Sequence, residues 1–299
     1  MARPSGFKTE AAWATYCRLY DEAIALSPVP VQQSDIETAF GSTHVLTAGD
    51  RSKPPLIALH AMGFSSTMWL PLLPTLTASS QVLMLDAVGG VNKSVATGVM
   101  SSPARVVAWI DEALDALHVG RVALVGASIG GWMATTYALA RPDRVARLAL
   151  VSPAGIVGSL RVTWLVTMTL KTRFPPTAAK AQWMLDRLVM EKTRPQLRTD
   201  PWRPITEQFI FGMPNFRSNL REPRPGMRCN VTPLAASGVP LLALIPRDET
   251  GHDGPMMAQR YRQRLPQAQV QLVADSNHLM FIDRTDVVTD QLQKFLDEE

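Results

Sequence analysis

Along this chain, short runs rich in leucine and β-branched residues alternate with longer stretches in which apolar positions recur every three or four residues. The first periodic stretch spans 7–27, where Ala11, Tyr16, Leu19, Tyr20, Ala23 and Ile24 share a face and Ser27-Pro28 ends the pattern. That spacing predicts an N-terminal helix. Seven β-rich runs follow, at 44–48, 56–60, 81–86, 121–128, 147–152, 239–246 and 269–274. Helical patterns separate them: Ser102-Pro103 is a start signal for the amphipathic run 104–117, and Gly120 is a stop. Such alternation predicts a mostly parallel central sheet flanked by helices, each helix carrying the chain across to a neighbouring strand.

One stretch breaks the rhythm. Residues 153–237 hold no convincing strand but three helical patterns, at 160–170, 178–190 and 205–211, and a tail at 214–233 rich in Pro, Arg, Asn and Gly. This reads as a helical cap inserted over the sheet, so that 1–152 and 238–299 form the core and 153–237 the cap.

Composition narrows the classes. A chain of 299 residues that is 46% hydrophobic can bury a sizeable core. Its first residues contain no apolar leader segment, and no apolar run approaches the roughly 20 residues of a spanning helix, so neither secretion nor membrane insertion is expected. Cys17 and Cys229 are far apart and in no CxxC spacing, which suggests neither a disulfide framework nor a zinc site and points to the cytoplasm. The net charge of +4 comes without a lysine-rich block or interleaved aromatic and basic residues, so a nucleic-acid partner is not expected. Arginines do cluster between Arg194 and Arg228; they read as a solvated face, with contact to an anionic substrate as the alternative.

The sharpest chemical signal is Gly126-Ala127-Ser128-Ile129-Gly130-Gly131, preceded by the apolar VALV and followed by the helical WMATTYALA. Strand, tight turn and helix with small flanking residues is the context in which a serine hydroxyl projects from a strained turn, and the helix start aims free N–H groups at developing negative charge. A serine nucleophile needs a base that works near neutral pH, which favours histidine. Of His44, His60, His118, His252 and His278, the last stands apart, in a turn between the final β-rich run and the C-terminal helix. After the run 241–246 comes Asp248, the first acid beyond the strand, with Glu249 and Asp253 near enough to compete for the imidazole.

Together these elements resemble the α/β-hydrolase superfamily, and more narrowly the bacterial carboxylesterases of the naproxen-esterase type. Beyond the serine turn, the segments Phe40-Gly41-Ser42-Thr43-His44-Val45, Ser65-Ser66-Thr67-Met68-Trp69, Asn92-Lys93-Ser94 and Ser152-Pro153-Ala154 carry the likeness, which runs from about Phe40 to the C-terminal helix. The resemblance implies the α/β-hydrolase fold and the chain order serine, acid, histidine, hence Ser128 as nucleophile, Asp248 as acid and His278 as general base. Asp248 then occupies the family's GxxD turn, although Ile245 replaces its glycine. Likewise, His60-Ala61-Met62-Gly63-Phe64 resembles the HGxxx segment, which implies an oxyanion hole from the N–H groups of Met62 and Ile129; Ala61 departs from the usual glycine. His60 itself is expected to hold the loop, and Asp86 to stabilise the loop after its strand.

The implied reaction is attack of Ser128 on the carbonyl of a small-molecule ester or thioester, followed by hydrolysis of the acyl-enzyme, with no metal or organic cofactor, in a monomer or homodimer. Acyl transfer or cyclisation in a biosynthetic pathway, carbon–carbon bond hydrolysis and perhydrolysis use the same three residues. A non-catalytic ligand-binding protein on this fold is the alternative from another class. In the cap, Trp164, Met168, Trp183, Met184, Phe209 and Phe211 either line an acyl pocket or pack the cap onto the sheet.

Overall fold

Thr9 caps the first helix, its hydroxyl accepting the Ala12 N–H at 3.0 Å, and α1 (Glu10–Ala25) buries Tyr16, Leu19 and Tyr20. The computed structural model describes residues 6–98, 100, 102–158, 161, 163–164, 167, 176–217 and 229–298. The helix is shorter than the periodic stretch because Phe7 leaves it to pair with Phe216 and to pack its ring on Trp13, Tyr16 and Phe216.

Among the described residues nine strands form one sheet: β1 (Val31–Thr38), β2 (Gly41–Ala48), β3 (Pro55–Leu59), β4 (Gln81–Leu85), β5 (Val95–Ala96), β6 (Val122–Ala127), β7 (Val145–Val151), β8 (Leu241–Pro246) and β9 (Gln269–Val273). Their order is β1-β2-β4-β3-β6-β7-β8-β9, with β5 added beside β2. Strand β2 runs antiparallel to β1, β4 and β5, while β4 through β9 in that order are parallel. Seven of the strands coincide with the β-rich runs. Strand β1 does not, because VQQSDIET lies mostly exposed at the sheet edge and has no apolar face to betray it.

Alternation within the strands splits the core in two. Ala123, Val125 and Ala127 of β6 face a cluster that includes Tyr16, Trp69, Leu185, Phe209, Phe281 and Phe295. Val122 and Leu124 face the other, with Trp109, Trp132, Tyr137 and Tyr261. Helix α2 (Leu73–Ser79) follows a 3₁₀ turn at Ser66–Leu72, α3 (Pro103–Ala116) starts at the Ser102 cap, and α4 (Ile129–Ala140) follows β6 directly.

Between β7 and β8 the described residues hold no strand, but α5 (Ala178–Leu188), a 3₁₀ segment Glu191–Arg198, α6 (Arg203–Asn215) and the short α7 (Thr232–Ala236). The helical pattern at 160–170 and the middle of the 214–233 tail lie largely outside the described residues. Helices α8 (Gly254–Arg264), α9 (Met280–Asp283) and α10 (Thr285–Asp297) complete the chain. Among the described residues no helix is long and apolar enough to cross a membrane, and both cysteines are free. Arg194 pairs with Glu191, and Arg203 with Glu22, Asp200 and Glu207; Arg221, Arg224 and Arg228 lie outside the described residues.

Asp86, wholly buried after β4, accepts the N–H of Ser66 at 2.7 Å and that of Lys93 at 2.9 Å, joining the loops that follow β3 and β4. Replacing it with alanine leaves two interior N–H groups without their acceptor. Asp86→Ala is expected to lower the unfolding free energy by about 3 kcal/mol in a urea titration.

Candidate active site

Ser128 sits between β6 and α4 with φ +53° and ψ −114°, a backbone conformation that costs a non-glycine residue about 1–3 kcal/mol. Glycines on either side make the turn feasible. A Cβ on Gly126 would stand 2.3 Å from the Gly130 carbonyl oxygen, and one on Gly130 would stand 2.2 Å from the Leu59 carbonyl oxygen, both far inside contact distance. Helix α4 therefore begins hard against the end of β3, and Ser128 donates its own N–H to the Val151 carbonyl at 3.0 Å.

Across the turn, His278 Nε2 lies 2.8 Å from Ser128 Oγ, and His278 Nδ1 lies 3.0 Å from Glu249 Oε2. The carboxylate at the imidazole is thus that of Glu249, not Asp248 as the sequence suggested. After β8 the chain turns through Arg247 and Asp248, whose N–H groups bond to the carbonyls of Val273 and Ser276 at 2.8 and 3.0 Å. That pairing directs both side chains outward, and they are exposed; the next residue faces in, with its side chain only 4% exposed. Asp253, the other competitor, caps α8 through the Met256 N–H.

The charges of this pair reinforce one another. Burial opposes the ionised form of Glu249, but the His278 charge and hydrogen bond, with smaller help from His252 and the Gly251 N–H, outweigh it and hold its pKa below the usual value. Burial likewise opposes an imidazolium at His278, yet the Glu249 charge and hydrogen bond prevail and raise its pKa above 6.5. A carboxylate on Nδ1 also fixes the tautomer, leaving Nε2 as the acceptor toward Ser128.

Two residues that sequence reasoning missed hold the imidazole loop. Asn277 Oδ1 accepts the N–H of His278 at 2.8 Å and that of Thr250 at 3.1 Å, while its Nδ2 donates to the carbonyls of Arg187 and Val189 at 3.0 and 3.4 Å. Asp283 accepts the Asn277 N–H at 2.8 Å and the Met190 N–H at 2.9 Å, and Leu279 donates to the Leu188 carbonyl. The end of α5 is therefore fastened to the histidine loop and to the acid loop together. In the sequence Asn277 looks like any turn residue, and only Asp283's place at the end of a short helix distinguishes it.

Met62 and Ile129, the expected oxyanion donors, both line one small cleft with His60. Among the described residues neither N–H has a main-chain acceptor. His60 is buried beside them; its Nδ1 donates to the Ala61 carbonyl and its Nε2 accepts the Ala87 N–H, both at 2.9 Å, so its ring serves the loop. Burial, against the pull of Asp86 and the Ala61 carbonyl, lowers its pKa and keeps it neutral.

The expected pocket residues are dispersed. Phe209 is 2% exposed, its ring tilted against that of Phe64 and pressed against Gly63, while Trp164, Met184 and Phe211 are partly buried against the same core. Trp183 carries the Arg187 guanidinium over its ring at 4.6 Å, and Met168 lies outside the described residues. Among the described residues there is no group of three or more His, Cys, Asp or Glu side chains that could hold a metal ion.

Comparison with known proteins agrees with this architecture. A model of the alpha/beta hydrolase family matches residues 56–291. A protein named as the uncharacterized carboxylesterase nap of Bacillus subtilis (strain 168) is 26% identical over 291 residues, covering 95% of this chain and 93% of its own. Carboxylesterase YbfK of the same organism is 24% identical over 288 residues, covering 94% and 93%. Among solved structures, the B. subtilis naproxen esterase (carboxylesterase NP) superposes with a TM-score of 0.85 at 22% identity, covering 97% of this chain and 100% of its own.

A titration of the histidine Cε1–H resonances by NMR tests the electrostatics. His278 is expected to keep its proton to a pH above the ordinary 6.5. In Glu249→Gln the raising charge is gone while burial remains, so the midpoint is expected to move to lower pH.

Proposed function

The chain belongs to the alpha/beta hydrolase family, and on that premise we propose that it is a serine esterase acting on small carboxylic esters or thioesters through Ser128, His278 and Glu249. The observation that carries this reading is the unbroken relay from Ser128 Oγ through both imidazole nitrogens to Glu249, at 2.8 and 3.0 Å. Its full-length relatives named as carboxylesterases support the substrate class.

In this mechanism Ser128 Oγ bonds to the ester carbonyl carbon as its proton passes to His278 Nε2. The carbonyl oxygen, now an anion, takes hydrogen bonds from the N–H groups of Met62 and Ile129, with the start of α4 adding its dipole. Protonated His278, steadied by Glu249, then gives its proton to the leaving alkoxide or thiolate as the acyl bond breaks. Water, deprotonated by His278, attacks the acyl-enzyme, and collapse returns the proton to Ser128. The segment 153–237 serves as the cap. Glu249 suits the acid role here because it is the residue after the turn that faces inward, its carboxylate buried against the imidazole.

Three variants assayed on p-nitrophenyl butyrate test the assignment. Ser128→Ala is expected to lose several orders of magnitude in kcat and all labelling by a fluorophosphonate. Glu249→Gln is expected to lose about 10⁴-fold in kcat, and Asp248→Asn to stay within about twofold of the parent. Labelling that survives in Ser128→Ala, or a collapse confined to Asp248→Asn, would overturn it.

A further inference from the structure

The expected oxyanion donor on the β3 side, the Met62 N–H, belongs to a tight turn. Phe64 closes it by donating its N–H to the Ala61 carbonyl at 3.1 Å, and Gly63 takes φ +75° inside it. Met62 is 37% exposed at the tip, so solvent offers nothing to hold the turn from outside. Its placement depends on the residues that flank it.

The core supplies one set of fastenings, from the Ala61 N–H to Met68 Sδ at 3.2 Å and from the Ser66 N–H to Asp86. Helix α6 supplies another. Gln208, 2% exposed, brings Oε1 to 2.9 Å from Ser65 Oγ and 3.0 Å from Thr67 Oγ1, and the two hydroxyls lie 2.8 Å apart. The amide oxygen carries no proton, so whichever hydroxyl donates to the other, the chain of bonds ends on Gln208. Its Nε2 donates to the Leu19 carbonyl at 3.3 Å, which ties the same side chain to α1. The adjacent Phe209 presses on the turn itself, since a Cβ added to Gly63 would stand 2.5 Å from its ring.

A side chain that only filled space could be exchanged for another of similar size. Gln208 cannot, because Ser65 and Thr67 are 2% and 0% exposed and would lose the acceptor their hydroxyls end on. Those hydroxyls would then turn to other partners and carry the backbone of 65–67 with them. The turn ahead is closed by its own hydrogen bond and shifts with that backbone. An oxyanion donor serves only at about 3 Å from its oxygen, and a misplacement of about 1 Å costs on the order of a hundredfold in rate.

We infer that Gln208 is a positioning residue: through Ser65 and Thr67 it holds the Met62 N–H where the anionic oxygen forms, which makes oxyanion stabilisation depend on α6. The inference rests on the esterase reading above and deepens it.

The test compares the parent with Gln208→Leu, with Ser65→Ala and Thr67→Val made together, and with all three changes combined, each first checked for a cooperative melt. On each, kcat and KM are measured with p-nitrophenyl butyrate, and Ki with propyl trifluoromethyl ketone. In that inhibitor Ser128 Oγ bonds to the carbonyl carbon, its proton passes to His278 Nε2, and the carbonyl π pair becomes an anionic oxygen that needs the same donors. Acylation and deacylation both pass through an oxyanion, so Gln208→Leu is expected to lower kcat about ten- to hundredfold while KM stays within about twofold. Ki for the ketone rises by the same factor as kcat falls. The hydroxyl variant behaves alike, and adding Gln208→Leu to it costs less than about threefold more, because the three oxygens act as a unit. The His278 midpoint in the NMR titration stays at the parent value, since α5 holds that loop. A kcat within about twofold of the parent in the folded variants, a loss carried by KM, or a kcat loss that the ketone does not share overturns the inference and leaves the esterase intact. If Gln208→Leu does not fold, the hydroxyl variant gives the same reading by itself. A parent that neither labels with a fluorophosphonate nor hydrolyses p-nitrophenyl butyrate overturns both.

Discussion

Gly130 carries no side chain, and the first turn of α4 uses that space to lie against the backbone at the end of β3. Any methyl group there would drive into the Leu59 and His60 carbonyl oxygens, at 2.2 and 2.7 Å. This contact fixes the separation between two loops that are remote in sequence, one presenting Ser128 and Ile129, the other Met62. It also explains why Ser128 tolerates a positive φ: the strand behind it and the helix ahead are each held by the sheet, so the turn between them has no room to relax.

Electrostatics build on that geometry. The Glu249 carboxylate is deeply buried, and an isolated charge in such a place would take up a proton. The neighbouring imidazole keeps it ionised, and the carboxylate in return makes the imidazole more basic. Neither group would hold its state without the other. This coupling ties the loops after β8 and β9 into one functional unit, with Asn277 spanning both.

Much of this was legible in the sequence, for reasons that differ from element to element. Interior parallel strands such as β3, β4, β6 and β8 are covered on both faces and read as continuous apolar runs, and the serine turn announces itself through its glycines. Ser128 and His278 are accordingly found where the motifs placed them. Strand β1 stayed hidden because its pairing is supplied by β2 rather than by a buried face of its own. The carboxylate that meets the imidazole stands one residue beyond the expected Asp248: composition locates a carboxylate after β8, but which of two adjacent side chains points inward depends on hydrogen bonds to Val273 and Ser276, residues roughly 25 positions away that no local pattern reveals. Asn277 and Asp283 were missed for the same reason, since their importance lies in what they touch.

The bonds from Arg187, Leu188, Val189 and Met190 to the histidine loop constrain how anything reaches the serine. Were α5 to lift away as a flap, it would carry off the hydrogen bonds that hold the imidazole in reach of Ser128. Beside the path to Ser128, α5 is thereby a doorpost rather than a door.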